Sequence, residues 1–170
     1  MNKMYGVILA AGKGQRLGHL GQICPKPLLP VGNKPIMQHQ LEDMIALGIK
    51  EYIIVVGHLK EKIINYFGDG SRWNIKISYV EQKERLGIAH AVMQLESFID
   101  APFILFLGDI FMVTNKLHLL VDAFLKNSAT VVLSTKIEKD IDSIRKNFSV
   151  LLHESGMVRR VIEKPRYIHC

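Results

Sequence analysis

An apolar run from Met4 to Leu9 opens directly into Leu9-Ala10-Ala11-Gly12-Lys13-Gly14-Gln15-Arg16-Leu17. That junction constrains the fold of this chain more than any other feature. A short, continuous apolar segment ended by glycines reads as a buried parallel strand. Small residues and glycines at its C-terminal end let backbone N–H groups approach a polyanion closely, so Leu9, Ala10, Ala11, Gly12 and Gly14 form a candidate cradle. Arg16, and Lys26 in Pro25-Lys26-Pro27-Leu28-Leu29-Pro30-Val31, add fixed positive charge where phosphates would sit. The glycines alone would fit a plain surface turn as well; the proline-flanked lysine that follows tips the reading toward a phosphate-rich ligand. No Gly-x-x-x-x-Gly-Lys-Ser/Thr loop is present. Leu17 stands where a dinucleotide fingerprint needs its third glycine, which disfavours that fold.

The rest of the chain alternates between strand and helix patterns, as in an α/β layer fold. Strands are expected at Met4–Leu9, Tyr52–Val56, Ile75–Val80, Phe103–Leu107 (a central strand) and Thr130–Ser134, with a further one at Val158–Ile162. Helices are expected from Pro35 to Leu47, stopped by Gly48, then over Leu59–Phe67, from Gly87 to about Phe98, and over Lys116–Lys126. Gly12, Gly57-His58, Glu81-Gln82 and Gly108-Asp109 each follow a predicted strand directly. Right-handed crossovers in an open parallel sheet gather such positions on one carboxyl rim, where ligands bind.

At that rim Asp109 is delivered by an apolar strand. One carboxylate, completed by phosphates and water, is a common way to hold Mg²⁺, so Asp109 is the candidate metal ligand; its plain alternative is a turn or cap aspartate. The seven histidines show no paired ligand spacing, and zinc is not expected. His39 falls on an amphipathic helix as a structural residue. Two cysteines suggest no disulfide framework and a reducing, cytoplasmic setting. No apolar run approaches the ~20 residues of a membrane span, and no signal-peptide pattern is seen. Net charge is +6, but the cations are spread rather than gathered into an aromatic-interleaved stripe, so small polyphosphates are expected as partners and nucleic acid is not.

Taken whole, the chain resembles the sugar-1-phosphate nucleotidylyltransferases, the NDP-sugar pyrophosphorylases. The resemblance rests on the opening loop together with Gly32-Asn33-Lys34-Pro35-Ile36, Ile53-Ile54-Val55-Val56-Gly57-His58, Glu81-Gln82, Leu86-Gly87-Ile88-Ala89-His90-Ala91, Leu107-Gly108-Asp109 and Glu163-Lys164-Pro165, in order from about Met4 to Tyr167. Its nearest members look like the glucose-1-phosphate thymidylyl- and uridylyltransferases. It implies a Rossmann-like three-layer sandwich with a mostly parallel central sheet, its nucleotide part at about 1–110 and a partial sugar-phosphate part at about 111–170. It further implies that Gln82 and the Gly87 backbone hold thymine or uracil, and that Lys164 holds the sugar phosphate with Glu163 on sugar hydroxyls; His90, on the helix near the base pocket, is expected to pack beneath that pocket. Arg16 would take the triphosphate, Lys26 the α-phosphate and Asp109 the Mg²⁺. The implied reaction joins a hexose 1-phosphate to a nucleotidyl group from dTTP or UTP. Ile110 stands where the family usually has Asn, and Phe148-Ser149-Val150 where it usually has Tyr-Gly-Val. Members normally continue past Glu-Lys-Pro to a second metal-binding aspartate, so weak or absent turnover with retained nucleotide binding is expected of this chain, and the sequence leaves a homo-oligomer open. A nucleotide- or sugar-phosphate-binding module without turnover is the alternative from another class. Within the enzymes the runner-up is a cytidylyl- or guanylyltransferase.

Overall fold

The computed structural model describes residues 3–14, 17–84 and 86–166. Two compact units divide the chain, Met1–Leu117 and His118–Cys170.

The first unit is built on a four-stranded sheet of β1 (Tyr5–Ala10), β4 (Glu51–Val56), β5 (Lys76–Glu81) and β6 (Phe103–Leu107), in the order β5-β4-β1-β6. All three pairings are parallel, with Tyr5 opposite both Glu51 and Phe103, and Glu51 opposite Lys76. The two inner strands are apolar on both faces: Val7, Ile8, Ile54 and Val55 are fully buried. Strand alternation sends Tyr5, Val7, Ile53, Val55 and Val80 to one face, where they pack against Ala91 and Leu95. Ala91 belongs to α4 (Ile88–Met93). The opposite face takes α2 (Ile36–Ala46), whose Met37, Leu41 and Met44 recur at helical spacing and are wholly buried. There Gly6 leaves room for the Tyr52 ring, since a Cβ at residue 6 would stand 2.5 Å from it. Helices on both faces make this a three-layer α/β sandwich.

Shorter elements complete the unit: α1 (His19–Ile23), a 3₁₀ turn at Lys26–Leu28, the two-residue strands β2 (Pro30–Val31) and β3 (Lys34–Pro35), and α3 (Lys60–Phe67). The helix expected from Pro35 begins one residue later, because Pro35 is used as its extended N-cap and pairs with Pro30. The helix expected to reach Phe98 ends at Met93 and continues only as turns.

Two sequence expectations are corrected. Among the described strands Phe103–Leu107 lies at the edge of the sheet rather than at its centre, and Phe103 is 40% exposed. Thr130–Ser134 forms no strand. Its β-branched residues satisfy a strand pattern, yet among the described residues no strand pairs with them, and Val131 is 69% exposed. A strand pattern records a preference; the hydrogen-bonding partner must come from elsewhere in the fold.

The second unit carries α5 (His118–Lys126), α6 (Ile141–Lys146) and an antiparallel ribbon of β7 (Phe148–Leu152) and β8 (Val158–Glu163). Asp140 caps α6, accepting from the Ser143 backbone N–H at 3.0 Å and from its hydroxyl at 2.6 Å. Among the described residues no helix is long and apolar enough to cross a membrane.

Candidate functional site

The carboxyl rim of the sheet opens into a cleft of about 380 Å³. One wall is Leu9, Ala10, Ala11, Gly12 and Gly14, the end of β1 and the candidate cradle that continues it. Lys26, Pro27, Leu107 and Asp109 form a second wall; Gln82, Gly87, Ile88 and Ala91 form the third. Nine of the candidate residues from the sequence therefore meet at one place, from strand ends far apart in the chain.

The cradle is held by close backbone approaches. Gly57, at the end of β4, lies so near Ala11 that a Cβ there would sit 3.0 Å from both the Ala11 Cβ and its carbonyl oxygen. Gly14 has φ +60°, a left-handed turn that favours glycine, and its carbonyl accepts from Leu17 N–H at 2.9 Å. Gly21 of α1 tucks beneath that same carbonyl, where a Cβ would come within 2.7 Å. His58 Nε2 hydrogen-bonds the Gly21 carbonyl at 3.0 Å, tying α1 to the end of β4. The Gly57-His58 motif thus supports the cradle from behind. Arg16, the other candidate cation, lies outside the described residues.

Lys26 opens the 3₁₀ turn between Pro25 and Pro27, whose fixed φ values stiffen it. Its Nζ donates to Asp109 Oδ2 at 2.8 Å, with the two side chains 38% and 46% exposed. Gly108 makes this approach possible. Its N–H donates to the Leu9 carbonyl at 2.9 Å. A Cβ at residue 108 would meet that carbonyl at 3.1 Å and the Pro27 ring at 3.3 Å. So the Asp109 turn lies flat against both the cradle and the lysine turn.

Gln82 is 8% exposed, and its backbone N–H extends the sheet by donating to the Val56 carbonyl at 2.8 Å. Its side-chain amide reaches the Gly87 carbonyl at 3.4 Å, closing the loop between β5 and α4. Gly87 has φ +97°. Next to Gln82, Glu81 is ion-paired with Lys60 at 2.6 Å, and that hydrogen bond holds its carboxyl below the ordinary range. His90, expected beneath the base, keeps its Nδ1 buried without a partner on α4. His39 accepts a structural role, hydrogen-bonding the Val31 carbonyl at 3.0 Å and packing edge-on to Phe111.

The sequence reading missed Gln40. Fully buried on α2, it donates to the carbonyls of Leu107 at 2.8 Å and Ile110 at 2.5 Å. A glutamine within a helical apolar pattern carries no signal of its own; only its burial distinguishes it.

Glu163 and Lys164 stand on the second unit, at and just after the end of β8. Both side chains are exposed, with Lys164 Nζ 3.5 Å from Glu163 Oε1. Lys164 adopts φ +45°, uncommon for a residue with a Cβ, and its N–H donates to the Asn147 carbonyl at 2.7 Å. Such a conformation persists only where surrounding contacts hold it.

Among the described residues no group of three or more histidines, cysteines and acids could hold a metal. The cleft offers one carboxylate, Asp109, beside the glycine-rich backbone after β1. That donor set suits Mg²⁺ arriving with a polyphosphate that supplies most of its oxygen ligands, and it does not suit a protein-only cage.

Comparison with known proteins agrees with this geometry. The nucleotidyl transferase family model matches residues 5–168. A UTP--glucose-1-phosphate uridylyltransferase, AglF of Haloferax volcanii, is 36% identical over 162 residues, covering 95% of this chain and 65% of its own length. The bifunctional protein GlmU of Methanococcus maripaludis is 35% identical over 96% of this chain and 36% of its own length. A glucose-1-phosphate thymidylyltransferase of Streptomyces antibioticus is 33% identical over 96% and 46%. The chain thus spans about two thirds or less of the curated relatives it matches. Two solved structures share the fold at 23% identity. One is a UDP-glucose pyrophosphorylase complexed with UDP-glucose, with a TM-score of 0.79 over 96% of this chain and 69% of the other. The second, a Bacillus anthracis protein solved with sucrose, gives 0.81 over 96% and 65%. A family match over nearly the whole chain, on a parallel sheet of the same architecture, establishes that this chain belongs to the nucleotidyl transferase family.

Proposed function

We propose that this chain carries the nucleotide site of a sugar-1-phosphate nucleotidylyltransferase, using dTTP or UTP and glucose 1-phosphate or a similar hexose 1-phosphate. The observation that carries the reading is the cleft itself: glycine-rich backbone, a lysine and an aspartate 2.8 Å apart, and a buried amide share one rim. A nucleoside triphosphate needs each of these. The backbone N–H groups of Ala11 to Gly14 would take the phosphate oxygens, and Arg16 would add charge for the departing pyrophosphate. The Gln82 amide offers both a donor and an acceptor to the edge of uracil or thymine.

In the reaction an oxygen of the sugar phosphate attacks the α-phosphorus in line. A new P–O bond forms, the bond from the α-phosphorus to the bridging oxygen breaks, and the electron pair leaves with pyrophosphate. Two anions must approach, so positioning and charge neutralisation dominate the barrier. Lys26 stabilises the charge that grows on the α-phosphate. Asp109 would hold Mg²⁺, which when bound supplies further charge neutralisation on the phosphates. When triphosphate enters, the Lys26 ammonium can exchange the Asp109 carboxylate for phosphate oxygen, leaving that carboxylate to the cation. We further propose that Lys164 orients the sugar phosphate and Glu163 its hydroxyls, so that the segment up to about residue 110 serves the nucleotide and the rest serves the sugar phosphate. A cytoplasmic setting belongs to the same proposal.

A thermal-shift panel with dTTP, UTP, CTP, GTP and ATP plus Mg²⁺ tests the base. Specific binding stabilises by RT ln(1 + [L]/Kd), so a hundred-fold excess over Kd adds about 2.7 kcal/mol. Stabilisation by dTTP or UTP above the others is expected. Pyrophosphate release with glucose 1-phosphate then separates a transferase from a module that binds nucleotide without turnover. Equal stabilisation by all five nucleotides, or by none, contradicts the pyrimidine assignment.

A further inference from the structure

We propose that Gln40 is a positioning residue for Asp109, acting through the turn that carries the carboxylate. The inference rests on the proposed role of Asp109 toward a divalent cation and extends it to a residue on a different element.

Gln40 is 2% exposed, and both hydrogens of its amide nitrogen are used. One goes to the Leu107 carbonyl at 2.8 Å and the other to the Ile110 carbonyl at 2.5 Å. These carbonyls bracket Gly108-Asp109. Only this amide orientation works, because the oxygen would face two acceptors if the group were turned over. The turn's other ties are Ile110 N–H to the Leu107 carbonyl at 3.1 Å, Gly108 N–H to the Leu9 carbonyl at 2.9 Å and Lys26 Nζ to Asp109 Oδ2 at 2.8 Å.

Asp109 follows an edge strand, so no strand beyond β6 braces this turn among the described residues. The brace comes instead from α2, which is immobilised by the fully buried Met37, Leu41 and Met44. Gln40 also leaves its own Oε1 buried without a partner, a cost that leucine or methionine at this core position would avoid. What the glutamine supplies is a fixed distance between a rigid helix and the carbonyls either side of Asp109. That distance sets where the carboxylate stands relative to Lys26 and to incoming phosphate. Groups that orient a metal-binding side chain typically change metal affinity roughly 10–100-fold when removed.

The test compares Gln40→Met, which removes both donors at near-constant volume, Gln40→His, which keeps one ring N–H, and Gln38→Met on the same helix. Gln38 is also buried, but its partners are Glu42 and Tyr66, away from the Asp109 turn. Each full-length variant is titrated with Mg²⁺ at fixed dTTP or UTP, following the melting temperature, and amide exchange is read at Gly108 and Ile110. In Gln40→Met the Mg²⁺ midpoint is expected to rise roughly 10–100-fold, while stabilisation by nucleotide in EDTA stays as in the parent. Gln40→His should fall between the two and serves if Gln40→Met does not fold. Gln38→Met should lower the melting temperature and leave the midpoint within about two-fold. Exchange at Gly108 and Ile110 should accelerate in Gln40→Met beyond any change within α2. A parent-like midpoint in Gln40→Met, or an equal shift in Gln38→Met, overturns the proposal. So does unchanged exchange at the turn, which is read whether or not nucleotide binds. Failure of the proposed function shows itself differently, as a parent protein that no nucleotide stabilises.

Discussion

Replacing Lys26 with methionine separates catalytic charge from structural charge. The Lys26–Asp109 pair spans 83 residues at 2.8 Å, yet its side chains are 38% and 46% exposed. Exposed ion pairs contribute about 0.2–1 kcal/mol. Methionine keeps most of the lysine's apolar stem, so the change removes chiefly the charge. For a unit of about this size, 1 kcal/mol moves the melting temperature by about 4–8 °C, and a shift of a few degrees at most is expected. Function should respond on another scale. Removing one preorganised charge contact to a developing oxyanion costs about 10²–10³ in rate, or about 2.7–4 kcal/mol. Lys26→Met should therefore nearly abolish pyrophosphate release, or nucleotide-dependent stabilisation where turnover is slow, in a protein that melts almost as the parent does. Differential scanning fluorimetry with and without UTP, beside a pyrophosphate assay, reads both quantities in one preparation. Near-parental turnover and nucleotide response would refute the role of Lys26 at the phosphates. A stability loss above about 2 kcal/mol would refute the premise that the pair is a weak, exchangeable contact.

Gly6→Ala should be among the most destabilising small substitutions, because the new Cβ falls 2.5 Å from the Tyr52 ring and 3.1 Å from Met44 Sδ in a core without slack. About 1–3 kcal/mol is expected from chemical denaturation, and a parental midpoint would contradict the packing described between β1, β4 and α2. The Lys60–Glu81 pair predicts an acid-limb effect. Lys60 holds the Glu81 carboxyl below its ordinary 4.5, so the pair's contribution is present above that value and lost as pH falls through the lower, folded-state value. Melting curves of Lys60→Met and the parent should therefore converge as pH is lowered from about 6 to about 3, and curves that stay parallel would count against the pair.

Much of the site was legible before any coordinates. The apolar run of β1, the glycines after it and the strand endings at Gly57, Gln82 and Asp109 are local patterns. The topology rule for parallel sheets then sends such endings to one rim. Gly12, Gly14, Lys26, Gln82, Gly87 and Asp109 do line one cleft. Other features were beyond sequence reasoning. Thr130–Ser134 has the composition of a strand and none of the pairing, because a strand's partner is not written in its own residues. Gln40 looks like any polar residue on a helix until burial and two distant carbonyls give it a task.

By itself the sequence determined which segments prefer to be strands, where the backbone can bend, and which charges stand near the glycine-rich segment after β1. These follow from side-chain shape, periodicity and backbone freedom within a few neighbouring residues. Only the tertiary structure decided that β6 is an edge strand, that Lys26 neutralises Asp109, and that Gln40 braces the Asp109 turn from α2. Those contacts join residues 67 to 83 positions apart. Their distances are set by how the sheet and its covering helices pack, a property of the whole unit that no short segment contains.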